Sequence, residues 1–381
     1  MGVNLLNNKF FGVALDPDDT SRKLAIKHAY LNALLAGTVP YPDFLDPYDA
    51  LTYSLQDLFM SPCFIKTGRV LVDSWLTPKP KVEDVLLVNA DNYAAFVDSG
   101  GCGAYEEIVK HFVMKKIFPE RPIMFGVDHS STGGVLKALS KEYGSENITM
   151  IILDSHFDAS YTKMRMDLFE YAKEKGTPEI LGISPLIEDV SILEQEVPES
   201  YNCGSFLRYL IDEAVILPEN LKVIGVSDYP NEKMRKINDH RVKNYVELYE
   251  SFEDKGVTFA PKETFKRIGV TRALKPILNE MEKTHVYISL DVDIGSLNGV
   301  YAARFMNVIG LSLEDIYEIS RLIKQALKQQ KLLLLGFDIM EIDVHLAGAQ
   351  LKDGTIDKTY EMADNFVRFL LDEKIRVPKS N

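Results

Sequence analysis

Seven short apolar runs punctuate the chain: KFFGVAL, VEDVLLVNA, RPIMFGV, ITMIIL, LKVIGVS, HVYISL and KLLLLGF. Each has the length of a strand, and most are apolar without alternation, the pattern of strands covered on both faces. Stretches with helical spacing separate several of them, such as GGVLKALSKEYG and LEDIYEISRLIKQALKQQ. Strand then helix, repeated, predicts an α/β fold with a mostly parallel sheet wrapped by helices. Residues 37–80 and 228–267 are less regular, rich in Tyr, Pro and acidic residues, and read as insertions at the loop ends of that sheet. No linker divides residues 1–381, so one domain is expected.

The runs share a habit of ending in acids. ITMIIL is followed by Asp154, His156 and Asp158; RPIMFGV by Asp128 and His129; HVYISL by Asp291 and Asp293; KLLLLGF by Asp338, Glu341 and Asp343. An acidic residue after a buried strand has an ordinary role as a helix N-cap or a turn residue. An Asp-x-His-x-Asp run strains that role, because positions i, i+2 and i+4 of an extended chain share a face and would crowd two negative charges together. A divalent cation held by carboxylate oxygen and imidazole nitrogen relieves the crowding. Both readings stay open for each cluster alone. In an open parallel sheet the carboxyl ends of the strands form the ligand crevice, so four such clusters can converge there.

Composition adds mainly exclusions. With 46% hydrophobic and 26% charged residues, the chain has the make-up of a globular protein with a large core. Its 56 acidic residues outnumber 43 Lys and Arg for a net charge of −13, and no basic cluster stands out, which argues against a nucleic-acid surface. The apolar runs are too short to cross a bilayer. Asn7, Asn8 and Lys9 interrupt the apolar start of the chain, so no signal peptide is expected. Cys63, Cys102 and Cys203 are widely spaced, which fits reduced thiols and a cytoplasmic location. The stretch Ser99-Gly100-Gly101-Cys102-Gly103 reads as a turn, with a phosphate cradle as the alternative.

Three motifs, Gly126-Val127-Asp128-His129-Ser130, Asp154-Ser155-His156-Phe157-Asp158 and Ser289-Leu290-Asp291-Val292-Asp293, resemble in order and separation the metal motifs of the ureohydrolases, the family of arginase, agmatinase and formimidoylglutamase. Gly12 to Asp16 and Gly336 to Asp343 resemble that family's first strand and a late strand. The resemblance implies an arginase-like three-layer α/β/α fold. It also implies a two-metal site, usually Mn²⁺, ligated by His129, Asp154, His156, Asp158, Asp291 and Asp293. It further implies a small-molecule substrate and a homo-oligomer. Asp158 would both ligate metal and hydrogen-bond the attacking group, and Glu341 would face the substrate guanidinium.

The residues carry part of this chemistry by themselves. Four carboxylates and two imidazoles balance two divalent cations, and a water shared by such ions loses a proton near neutral pH, giving a hydroxide nucleophile. Hard oxygen with some nitrogen favours Mn²⁺, while Ni²⁺, Co²⁺ and Fe²⁺ remain compatible. The expected function is hydrolysis of a C–N bond in a guanidino or amidino compound. The alternative is a non-catalytic or repurposed relative that keeps the metals and binds a small molecule or protein partner.

The chain also departs from the family pattern. The third motif continues into Ile294-Gly295-Ser296-Leu297-Asn298-Gly299-Val300-Tyr301 with no Pro, and Ala159-Ser160-Tyr161 lacks the Asn that arginases use. At the position of a proton-shuttling His stands Cys203, in Cys203-Gly204-Ser205-Phe206-Leu207-Arg208. A thiol cannot act as a cationic acid, so His345 is a candidate replacement, with a structural strand-end role as its alternative.

Overall fold

The computed structural model describes residues 7–39, 43–176, 199–281, 283–306 and 309–371. Eight parallel strands form one sheet. In chain order they are β1 (Asn8–Val13), β2 (Phe64–Arg69), β3 (Arg121–Gly126), β4 (Ile148–Leu153), β5 (Leu221–Ile224), β6 (Thr258–Ala260), β7 (His285–Asp291) and β8 (Leu333–Met340). Across the sheet the order is β2-β1-β3-β8-β7-β4-β5-β6.

Three layers follow from the period of two along the strands. Phe10, Ile123, Phe125, Ile151, Leu153, Ile288 and Ile339 belong to one apolar cluster, and their neighbours Phe11, Met124, Met150, Ile152 and Tyr287 to the other. The first face is covered by helices Val270–Asn279, Leu313–Gln329 and Thr359–Leu371, through Leu274, Ile319 and Phe366 among others. The second is covered by helices Gly101–Phe112, Thr132–Tyr143, Thr162–Lys175 and His240–Asp254, through Val109, Leu136, Leu168 and Val242. Helix Leu313–Gln329 shows how local signals agree. Ser312 and Asp315 form a capping box at its start, and Ile316, Ile319 and Ile323 make its buried stripe.

Two expectations are corrected in detail, and the turn read at the glycine-rich stretch is present. VEDVLLVNA is not a strand: Val82–Asp84 is a short 3₁₀ turn, Val85, Leu86 and Leu87 are exposed, and Asn89 caps helix Ala90–Asp98. The two segments read as irregular instead supply the sheet's edges, β2 within 37–80 and β6 within 228–267. These strands are short or only half-buried, and so lack a continuous apolar run. The glycine-rich stretch around Gly100 follows that same capped helix and leads into helix Gly101–Phe112. Gly100 has φ +84°, and a Cβ on Gly101 would fall 2.3 Å from the Phe96 ring, so the glycines serve a turn and a helix contact.

The order of the middle strands decides where chemistry can happen. β3, β8, β7 and β4 are adjacent, so the acidic clusters at their carboxyl ends meet although they lie up to 213 residues apart in the chain (Asp128 to Glu341).

Candidate metal centre

The clusters meet in two overlapping groups of potential ligands. His129, Asp154, Asp158 and Asp291 form one, and Asp154, His156 and Asp293 the other, with the ligand atoms of each group within 4.8 Å of one another. Asp154 belongs to both. In the first group the imidazole Nδ1 of His129 stands 3.3 Å from Asp154 Oδ2, 3.2 Å from Asp158 Oδ2 and 3.3 Å from Asp291 Oδ2. In the second, His156 Nδ1 is 2.7 Å from Asp293 Oδ2. His156 is the more open of the two histidines, while His129 is wholly buried.

The spacing of two residues within each motif has a local cause. Asp154 Oδ1 accepts from the His156 N–H at 2.6 Å, and Asp291 Oδ1 accepts from the Asp293 N–H at 2.8 Å. One oxygen of each carboxylate closes the turn after its strand, and the other, Oδ2, faces His129. Turn-capping and potential metal ligation thus fall to two different oxygens of the same side chain and do not compete. Asp293 Oδ1 ties the two loops together by accepting from the Ser155 N–H at 3.0 Å, and Ser155 Oγ donates back to the Asp293 carbonyl at 2.9 Å.

Behind His129 lies a polar buttress. Its Nε2 is 2.8 Å from Ser289 Oγ, and Ser289 Oγ donates to Asp338 Oδ1 at 2.5 Å. The buried Asp338 also accepts from Tyr287 at 2.6 Å and from Thr132 at 2.8 Å. A hydrogen bond on one imidazole nitrogen fixes the ring and turns the other nitrogen's lone pair toward the cluster.

The electrostatics of the bare cluster are strained. Burial, together with the charges of Asp158 and Asp293, pushes Asp154 up to about 7. Burial and the charges of Asp293 and Asp154 raise Asp291 well above the carboxylate range. Burial opposes protonation of His129, but Asp154, Asp158 and Asp291 outweigh it and raise that imidazole too. Two buried ligand atoms, His129 Nδ1 and Asp154 Oδ2, lack a hydrogen-bond partner among the described residues. Orphaned, mutually repelling donors converging on one point are what a bound cation would satisfy, and the set of two imidazoles and four carboxylates fits divalent metal.

Solved structures resemble the chain in fold. Arginase from Bacillus caldovelox matches at 16% identity with a TM-score of 0.56, covering 98% of this chain and 100% of that one. Formimidoylglutamase from Bacillus subtilis matches at 14% identity and TM-score 0.53, covering 97% and 88%. A hypothetical agmatinase from Burkholderia thailandensis matches at 16% identity and TM-score 0.51, covering 96% and 84%. No curated protein matches the chain. The family model for arginases matches residues 82–370. The chain belongs to the arginase family. The three-layer fold expected from the sequence is therefore present in this member.

The remaining candidates divide. Glu341 lies in this neighbourhood with φ +64°, its Oε1 accepting from the His129 N–H at 2.9 Å. Burial is the main cause that lifts its carboxyl to about 8. The Cys203 thiol, half-buried, feels the charges of Asp128, Arg304, Glu341 and Asp158, and burial pushes it well above its usual range. His345 is placed elsewhere. Its Nε2 is 2.8 Å from the Pro78 carbonyl, its ring packs edge-on against Tyr30, and the charges around it are those of Asp343, Lys79 and Lys23.

Two residues of the site escaped sequence reasoning. Arg304, buried, lies 2.6 Å from Asp128 Oδ2 and 3.4 Å from Glu341 Oε1. Arg165 reaches Asp158 Oδ1 at 3.4 Å. Neither sits in a motif. A faint signal existed for Arg304, an isolated cation in an otherwise uncharged stretch shortly after the third motif.

Proposed function

We propose that this chain is a binuclear-metal hydrolase that cleaves a C–N bond of an amidino or guanidino-type compound. The observation that carries the reading is the pair of overlapping ligand groups sharing Asp154. His129, Asp154, Asp158 and Asp291 would hold one ion, and Asp154, His156 and Asp293 the other. Mn²⁺ suits this oxygen-rich set. When bound, such a pair supplies acidification of a water and polarisation of the electrophile. Membership of the arginase family supports the reaction class.

The chain's own groups then have separate tasks. Ser289 and Asp338 hold the His129 ring in one orientation. Asp158, whose Oδ2 faces His129 and whose Oδ1 faces Arg165, would take a proton from the attacking water and pass it to the leaving nitrogen. The balance is simple: water adds across the scissile bond, its oxygen to carbon and its hydrogen to nitrogen. Cys203 remains protonated at neutral pH and takes no part as a cationic acid. No described helix is long and apolar enough to cross a membrane. A cytoplasmic, homo-oligomeric enzyme acting on a small molecule is the setting we propose.

Incubating the Mn²⁺-loaded protein with guanidino, ureido and formimino compounds, and measuring urea, ammonia and formamide, tests the assignment. Release of one of these products, lost on chelation, is expected. A metal-loaded protein inert toward all three classes would contradict it.

A further inference from the structure

Arg304, buried in the loop after β7, gathers the loops that follow three other strands. Its Nη1 stands 2.6 Å from Asp128 Oδ2 and 3.4 Å from Glu341 Oε1, and its Nε 3.3 Å from Asp16 Oδ1 and 3.6 Å from Asp18 Oδ2. Asp16 and Asp18 follow β1, Asp128 follows β3 and Glu341 follows β8. Each of the three aspartates spends its other oxygen close by. Asp16 Oδ2 faces Lys27 Nζ at 3.1 Å, Asp18 Oδ1 accepts from the Thr20 N–H at 3.0 Å, and Asp128 Oδ1 accepts from the Ser130 N–H at 3.0 Å. Glu341 differs. Its Oε1 is shared by Arg304 and by the His129 N–H at 2.9 Å, whereas its buried Oε2 has no hydrogen-bond partner among the described residues. A buried carboxylate oxygen left unpaired is costly, and beside a ligand cluster it marks a place for a donor that the protein does not itself supply.

Arg304 also acts on the backbone that carries this carboxylate. Its N–H donates to the Glu341 carbonyl at 2.7 Å, Ala303 bridges Ile342, and the Asp343 N–H donates to the Ala302 carbonyl at 2.8 Å. The Glu341 N–H in turn donates to the Val127 carbonyl at 3.1 Å. Between these contacts Glu341 sits at φ +64°, a left-handed conformation that a residue with a side chain keeps only where its surroundings hold it. The guanidinium and the peptide of Arg304 thus grip one residue at its carboxylate and at its carbonyl. With Oε1 committed inside the protein, Glu341 offers a ligand one oxygen instead of two.

We infer that Arg304 is a positioning residue, fixing Glu341 so that Oε2 alone receives one N–H of the amidine. The inference rests on the hydrolase reading and adds to it the residue that aims the acceptor, with a single-point contact in place of a two-oxygen clamp. Calorimetric titration of the full chain with acetamidinium, the smallest planar amidine, tests it without turnover. Acetamidinium is expected to bind the wild type, and Arg304→Met to weaken that binding about tenfold. Charge alone predicts the opposite sign, because deleting one cation leaves Glu341 more attractive to another. Arg304→Lys keeps the charge but cannot reach both pairs of carboxylates from one nitrogen, so it should show the same loss even if Arg304→Met does not fold. Mn²⁺ affinity measured against a chelator should not fall in either variant, whereas a merely structural role would lower both affinities. No binding of acetamidinium, binding by a folded Arg304 variant as tight as wild type or tighter, or a parallel loss of Mn²⁺ would overturn the inference. Failure of the hydrolase reading looks different: the wild type retains no Mn²⁺ and turns over no compound, yet acetamidinium affinity still depends on Arg304 in variants that circular dichroism shows to be folded.

Discussion

Ser289→Ala isolates the buttress behind His129. The substitution deletes one oxygen that touches His129 Nε2 at 2.8 Å and Asp338 Oδ1 at 2.5 Å, in a fully buried position. Asp338 keeps its bonds from Tyr287 and Thr132, so its charge stays partly satisfied. His129 fares worse, because its Nε2–H is left as a buried donor without a partner, a cost of about 1–3 kcal/mol. The ring also loses what favours the tautomer with its Nδ1 lone pair toward the cluster. Removing an outer partner of a ligating histidine typically weakens metal binding by about 10–100-fold, equivalent to about 1.4–2.7 kcal/mol. Mn²⁺ affinity measured against a competing chelator should fall in that range, while circular dichroism shows a folded protein. An affinity within twofold of wild type would refute the reasoning and remove Ser289 from any role in orienting the imidazole.

Other consequences can be checked alongside. Asp158→Asn should lower turnover by several orders of magnitude with the fold intact, since it removes a ligand charge and the proton carrier together; steady-state kinetics that barely change would exclude both roles. Glu341→Gln keeps an acceptor for the His129 N–H and replaces a carboxyl that burial lifts to about 8. Because that folded value lies above the unfolded value of about 4.3, the wild type loses stability relative to the variant as pH rises between about 4 and 8, and a gap in urea denaturation that does not change with pH would contradict the shift. Asp16 gives a pH signature. Burial raises its carboxyl, but Lys27, Arg304 and Lys23 outweigh burial and hold it down to about 2. Its folded value lies below the unfolded value of about 3.9, so about 2 kcal/mol of stability is present above that pH and is lost as pH falls toward 2. The stability gap between wild type and Asp16→Asn should therefore narrow between about pH 5 and pH 2, whereas a gap independent of pH would contradict the pairing.

How much of this was legible in the sequence depends on how local each cause is. β3, β4, β5, β7 and β8 stood out because central parallel strands are apolar on both faces. β2 and β6 did not, since edge strands need fewer buried side chains, and Leu86, with its neighbours, mimicked a strand while facing solvent. The would-be metal ligands were visible because each motif spans a single turn, with Asp154 and Asp291 closing their own loops. Arg304 was not, because it reaches Glu341 through pairing of residues 302–304 with 341–343, and no sequence period encodes such a tertiary contact. His345 looked suitable from its distance of four residues to Glu341, yet the chain turns it toward Pro78 and Tyr30.

The central claim is that the overlapping groups around Asp154 hold two divalent ions. Anomalous diffraction from crystals grown with Mn²⁺ tests it most directly. Two peaks are predicted, one among His129, Asp154, Asp158 and Asp291 and one among Asp154, His156 and Asp293. Crystals with Mn²⁺ in the solvent but no anomalous peak at either position would contradict the account.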